Sequence, residues 1–84
     1  MKLVFADAAW EDYLYWQKRD RKMVERINKL IRETQRKPFK GLGKPEPLKL
    51  VLAGFWSRRI TEEHRMVYRV EGDALLIAQL RYHY

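Results

Sequence analysis

All three prolines and two of the four glycines fall within residues 37–48, a density that neither a helix nor an unbroken strand tolerates. That stretch divides the chain into two parts with different apolar periods. Before it, Lys2 to Phe5 is β-prone, and Asp7 can cap a helix with Trp10, Tyr13, Leu14 and Gln17 at i, i+3, i+4 and i+7. A second helix starts near Asp20 and aligns Met23, Val24, Ile27, Leu30 and Ile31 in one stripe until Pro38 stops it. After it, residues 55–61, 65–70 and 74–82 read as strands, separated by a Glu62-Glu63-His64 turn and a Glu71-Gly72-Asp73 turn.

This order predicts an α+β fold: a short N-terminal strand and two helices packed on one face of a twisted antiparallel sheet, in one domain over residues 1–84. A chain of 84 residues buries only about 60% of its unfolded surface, so its core must be dense. Three Trp, five Tyr and three Phe serve that need, and Trp10, Trp16 and Trp56 are assigned to the core. With no cysteine, neither disulfides nor thiolate metal sites contribute, which fits a reducing cytoplasm. No apolar run reaches the length of a membrane span or a signal-peptide core.

Lys and Arg outnumber Asp and Glu by 18 to 11, a formal charge of +7 whose field concentrates polyanions. Nucleic acid is the leading partner class, beside the plainer reading of a solvated basic surface. Arg32, Arg36 and Lys37 illustrate both, since cations in a last helical turn also complement the helix dipole.

A three-residue hairpin loop at residues 71–73 pairs Val70 with Ala74 and sends even-numbered residues to one face. Met66, Tyr68, Val70, Leu76, Ala78, Leu80 and Tyr82 then lie under the helices, while Arg65, Arg69, Gln79, Arg81 and His83 gather on the open face. A two-residue loop would shift that register. The three-residue version leaves His83 roughly 13 Å along the sheet from Arg65, at about 3.3 Å per residue, so the strand must bend or the terminus curl back.

The chain ends on Arg81-Tyr82-His83-Tyr84, bulky groups that can stack bases and donate protons. Metal-free RNA cleavage by 2'-hydroxyl attack needs a base, an acid at the departing 5'-oxygen and cations for the added charge. Glu46, His83, and Lys49 with Arg65 can fill those roles. Glu46 lies between Pro45 and Pro47, which stiffen its backbone, and neighbouring cations favour the carboxylate a base requires; on spacing alone an ordinary solvated loop glutamate is the favoured reading. Tyr84 can stack on a base or pack on the sheet edge. Arg58 and Arg59 fall on opposite faces of a strand, so at most one joins Arg65, and Arg59 is preferred. Glu62-Glu63-His64 does not form a recognised metal site, and no Gly-rich strand-to-helix loop is present, so no metal or cofactor is expected.

Four blocks of the chain resemble the YoeB-type toxins of the RelE superfamily: residues 12–17 (DYLYWQ), 43–49 (GKPEPLK), 54–65 (GFWSRRITEEHR) and 81–84 (RYHY). The resemblance implies a RelE-like ribonuclease fold and a bacterial toxin that cleaves messenger RNA in the ribosomal A site. It implies Glu46 as base, His83 as acid, Arg65 and Lys49 on the phosphate, and Tyr84 placing the RNA. Lys44, Arg58 and Arg59 complete the substrate-binding set. Implied partners are a YefM-type antitoxin, the ribosome and mRNA, with a homodimer left open and promoter DNA bound only through the antitoxin complex. One departure is Leu50-Val51-Leu52-Ala53, where the family usually carries polar residues; it suggests tighter packing or an altered antitoxin or dimer surface. Two readings compete with the endoribonuclease: a non-catalytic toxin of the same fold that binds a protein target, and a simple RNA-binding module.

Overall fold

Helical and β halves are both present on either side of the proline-rich loop, and they share one sheet. The computed structural model describes residues 1–82. The elements run β1 (Lys2–Phe5), α1 (Asp7–Arg19), α2 (Arg21–Arg36), β2 (Glu46–Pro47), a 3-10 turn (Leu50–Leu52), β3 (Trp56–Arg59), β4 (Arg65–Glu71) and β5 (Ala74–Gln79). The strand order is β1-β5-β4-β3-β2. Neighbours are antiparallel except that β1 runs parallel to β5, with Lys2 opposite Ala74 and Phe5 opposite Ile77, so the sheet is mixed. Parallel neighbours need a long connection, which the intervening helices and strands supply.

Asp20 both ends α1 and starts α2. Its N–H donates to the Trp16 carbonyl at 2.8 Å, and its carboxylate accepts from the Met23 N–H at 3.2 Å. The cap expected at Asp7 is one residue off: Ala6 is the N-cap and makes no side-chain bond, while Asp7 stands in the first turn, where its charge suits the helix dipole. The buried seam of α1 also turns away from the expected stripe. Ala9 and Trp16 are buried and Tyr13 packs beside them, whereas Gln17 is exposed. Trp10 is 47% exposed and leaves the assigned core, lying against Phe5 and Tyr13 at the rim. The methyl of Ala9 lets the helix approach the sheet closely, which an indole at that position would prevent. In α2, Met23, Ile27, Leu30 and Ile31 are buried as expected, and Thr34 joins them with its hydroxyl donated to the Leu30 carbonyl. Burying each large aliphatic side chain contributes roughly 1.5–3 kcal/mol.

The hairpin between β4 and β5 is tighter than expected. Glu71 pairs with Ala74 across a two-residue turn in which Gly72 adopts φ +58°, a conformation open to glycine at little cost. Leu75 and Ile77, rather than Leu76 and Ala78, therefore lie under the helices with Met66 and Tyr68. A bulge then shifts the ladder so that Val67 pairs with Gln79, and Leu80 returns to the core. Turn and bulge together shift the pairing by two residues, so that Arg65 faces the segment after Gln79 and its N–H reaches the Tyr82 carbonyl.

Candidate active site on the open face of the sheet

Glu46 is held as an edge residue of the sheet, because β2 pairs it with Ser57. Ser57, Arg59, Arg65 and Val67 share that face through direct pairing of β3 with β4. The Arg65 guanidinium donates from Nη1 to Glu46 Oε1 at 3.3 Å and to Ser57 Oγ at 3.2 Å. Its side chain is only 15% exposed, against 51% for Glu46, so the cation forms the floor and the carboxylate stands at the rim. Arg59 is exposed and lies directly opposite Arg65. Like charges facing each other across a ladder cost stability, and here they build a site of positive potential beside a carboxylate. Lys44 and Lys49 are both exposed on either side of Glu46, Lys44 in a left-handed conformation with φ 52°.

Arg58 does not belong to this site and is withdrawn from the substrate-binding set. It is fully buried beneath the sheet, where Nη1 donates to the Leu42 carbonyl at 2.8 Å and Nη2 donates to those of Lys37 and Lys40. Its Nε donates to the Tyr68 hydroxyl at 3.3 Å, and that hydroxyl donates to the Pro38 carbonyl at 2.6 Å. Burial pushes the Tyr68 phenol above its ordinary value near 10, against the opposing hydrogen bond and charge of Arg58. The guanidinium is thus the peg on which the Gly/Pro-rich loop is hung.

The chain leaves β5 at Gln79 and is gripped by other elements. Leu80 donates its N–H to Asp12 Oδ2 at 3.0 Å and accepts from Trp16 Nε1 at 3.0 Å. Arg81 stacks over the Tyr15 ring at 3.6 Å, with Arg19 at 3.9 Å from the same ring. The Arg65 N–H donates to the Tyr82 carbonyl at 3.0 Å, so the terminal segment runs beside the floor of the site. His83 and Tyr84 lie outside the described residues.

Ser57 and His64 were missed as parts of this neighbourhood, whereas Gln79 was already expected on the open face. Strand alternation with Arg59 would have placed Ser57 on the open face. His64 looked like a turn residue, yet it is buried between Trp16 and Tyr82. Of the two expectations for Leu50-Val51-Leu52-Ala53, tighter packing or an altered antitoxin or dimer surface, the first fails at Leu50 and Val51, which are 90% and 97% exposed, with Leu50 at φ 59°.

Two helices on one face of a five-stranded mixed sheet, with a carboxylate and arginines on the other, define a small RelE-like α+β toxin domain. A family model described as the YoeB-like toxin of bacterial type II toxin–antitoxin systems matches residues 5–84. The "Toxin YoeB" of Escherichia coli (strain K12) is 63% identical over the whole of both chains. The structure of a YoeB/ParE toxin from Agrobacterium tumefaciens superposes with a TM-score of 0.98 at 59% identity, covering both chains completely. A chain of the heterotetrameric YoeB–YefM toxin–antitoxin complex from Staphylococcus aureus gives 0.92 at 46% identity, covering 100% of this chain and 98% of that one. The chain belongs to the YoeB-like toxins of bacterial type II toxin–antitoxin systems.

Proposed function

We propose that this toxin is a metal-independent endoribonuclease that cleaves mRNA in the A site of the ribosome and thereby stops translation. The observation that carries the reading is the Glu46–Arg65 pair on the open face, 3.3 Å apart, with the terminal segment bonded to the backbone of Arg65. An entering phosphate competes with Glu46 for the Arg65 guanidinium. The carboxylate so released sits beside that phosphate, where it can take the proton of the 2'-hydroxyl. The oxygen then attacks phosphorus, and Arg65, Arg59 and Lys49 stabilise the charge that develops on the phosphoryl oxygens. His83 protonates the departing 5'-oxygen and Tyr84 places the RNA, leaving a cyclic phosphate on the upstream fragment.

The partners in this reading are the ribosome and mRNA in the cytoplasm. A YefM-type antitoxin neutralises the toxin and carries the complex to promoter DNA, and a homodimer is the form that engages the ribosome. Among the described residues no helix is long and apolar enough to cross a membrane. Mapping message ends after brief expression tests the activity. New ends within translated codons, carrying cyclic or 3'-phosphates, are expected from the wild type and absent from a folded Glu46→Ala, His83→Ala double variant. Retained toxicity in that variant would overturn the enzymatic reading and favour inhibition by binding.

A further inference from the structure

The turn after β3 is closed around His64. The N–H groups of Ile60 and Thr61 donate to its carbonyl, and its own N–H donates to Thr61 Oγ1 at 3.1 Å. The side chain is 11% exposed, its imidazole edge-on to Trp16 with ring centroids 4.9 Å apart. Its Nδ1 accepts the backbone N–H of Tyr82 at 2.7 Å, which assigns the ring proton to Nε2, facing Glu63 Oε1 at 3.5 Å. Tyr82 is a non-glycine residue in the left-handed region, with φ 58°. Such a conformation persists where surrounding bonds over-determine it. Among the described residues three bonds hold its backbone: Tyr82 donates to His64 on its N–H side and accepts from the Arg65 N–H and from Gln79 Nε2 on its carbonyl side.

We propose that His64 is a positioning residue for the cleavage reaction: its Nδ1 holds Tyr82 left-handed and so keeps the Tyr82 carbonyl on the Arg65 N–H, beside the floor of the site. This rests on the endoribonuclease reading above. His64 touches neither substrate nor the reacting atoms; it acts through the backbone. Removing the acceptor lets Tyr82 relax to an extended conformation, which takes its carbonyl away from the Arg65 N–H.

The test compares His64→Phe, which keeps a ring against Trp16 but has no acceptor, with His64→Asn, whose Oδ1 stands about where Nδ1 stood. On mRNA-programmed ribosomes, His64→Phe should lower kcat by about 100-fold with KM changed less than about twofold, the signature of a misplaced group rather than lost binding. His64→Asn should recover most of that loss. Hydrogen exchange at the Tyr82 amide should be protected in the wild type and in His64→Asn, and fast in His64→Phe. Should His64→Phe not fold, replacing the Arg81–Tyr82 peptide by an ester removes the donor with every side chain intact, and the same fall in kcat is expected. An unchanged kcat in His64→Phe or in the ester would overturn the proposal, as would equal impairment in His64→Asn and His64→Phe. A wild type that cleaves nothing would sink the endoribonuclease reading instead, while the exchange comparison still decides whether His64 holds Tyr82.

Discussion

Arg58 and Arg65 are paired strands' residues on opposite faces of one sheet, and their surroundings turn the same side chain to different ends. Arg58 points inward and spends its donors on carbonyls of residues 37, 40 and 42 and on Tyr68, with no exposed surface left. Arg65 points outward and meets a carboxylate that is half in solvent and a buried serine. A guanidinium surrounded by fixed backbone dipoles organises a fold. One paired with an accessible carboxylate, beside a second exposed arginine, can exchange that partner for a phosphate.

The largest effect expected from breaking this contrast is on the open face. Glu46→Gln or Arg65→Met should reduce cleavage of ribosome-bound mRNA by about 100- to 10,000-fold, with thermal midpoints near that of the wild type. Changing the inner arginine should reverse the pattern. Arg58→Met takes the donor away from the carbonyls of Lys37, Lys40 and Leu42 and should cost roughly 3 kcal/mol in denaturant unfolding, while the folded fraction keeps its activity. Gly43→Ala attacks the same anchorage: a Cβ there would come within 2.9 Å of Leu30 Cδ2 and 3.1 Å of the Arg59 carbonyl, at φ +83°. A loss of about 2 kcal/mol is expected, again without a matching fall in activity per folded molecule.

Tyr68→Phe should show the smallest change, about 1 kcal/mol at neutral pH from the lost bond to Pro38 and the orphaned Arg58 Nε. Because the folded-state value of Tyr68 is raised, unfolded chains release that proton first as pH climbs. Stability linked to it is therefore full below pH 10 and is lost above it, so the gap between wild type and Tyr68→Phe should narrow in alkali. A gap that stays constant from pH 8 to pH 11 would show that the phenol is not held in its neutral form by burial.

The stripe of α2 was legible because four large aliphatic residues at helical spacing admit one buried face. The seam of α1 was not. Its aromatic residues occur on several sides, and close approach to the sheet selects the small Ala9 over Trp10 for the contact. Glu46, Arg59 and Arg65 were legible as candidates from residue type, from the flanking prolines and from strand alternation. Arg58 was misplaced because alternation tells which residues share a face, yet not which face the loop of residues 37–42 will cover. His64 carried a local signal only for a turn, since its hydrogen-bond partner lies 18 residues later.

Local chemistry along the chain set the division at residues 37–48, the helix–sheet order and the chemical types available for a site. It did so because periodicity, proline geometry and charge act over a few neighbouring residues. The sheet register, the parallel entry of β1, the burial of Arg58 and the capture of Tyr82 by His64 were decided only in the tertiary structure. Each depends on a pairing between distant segments, in which a two-residue turn and one bulge brought Tyr82 alongside Arg65.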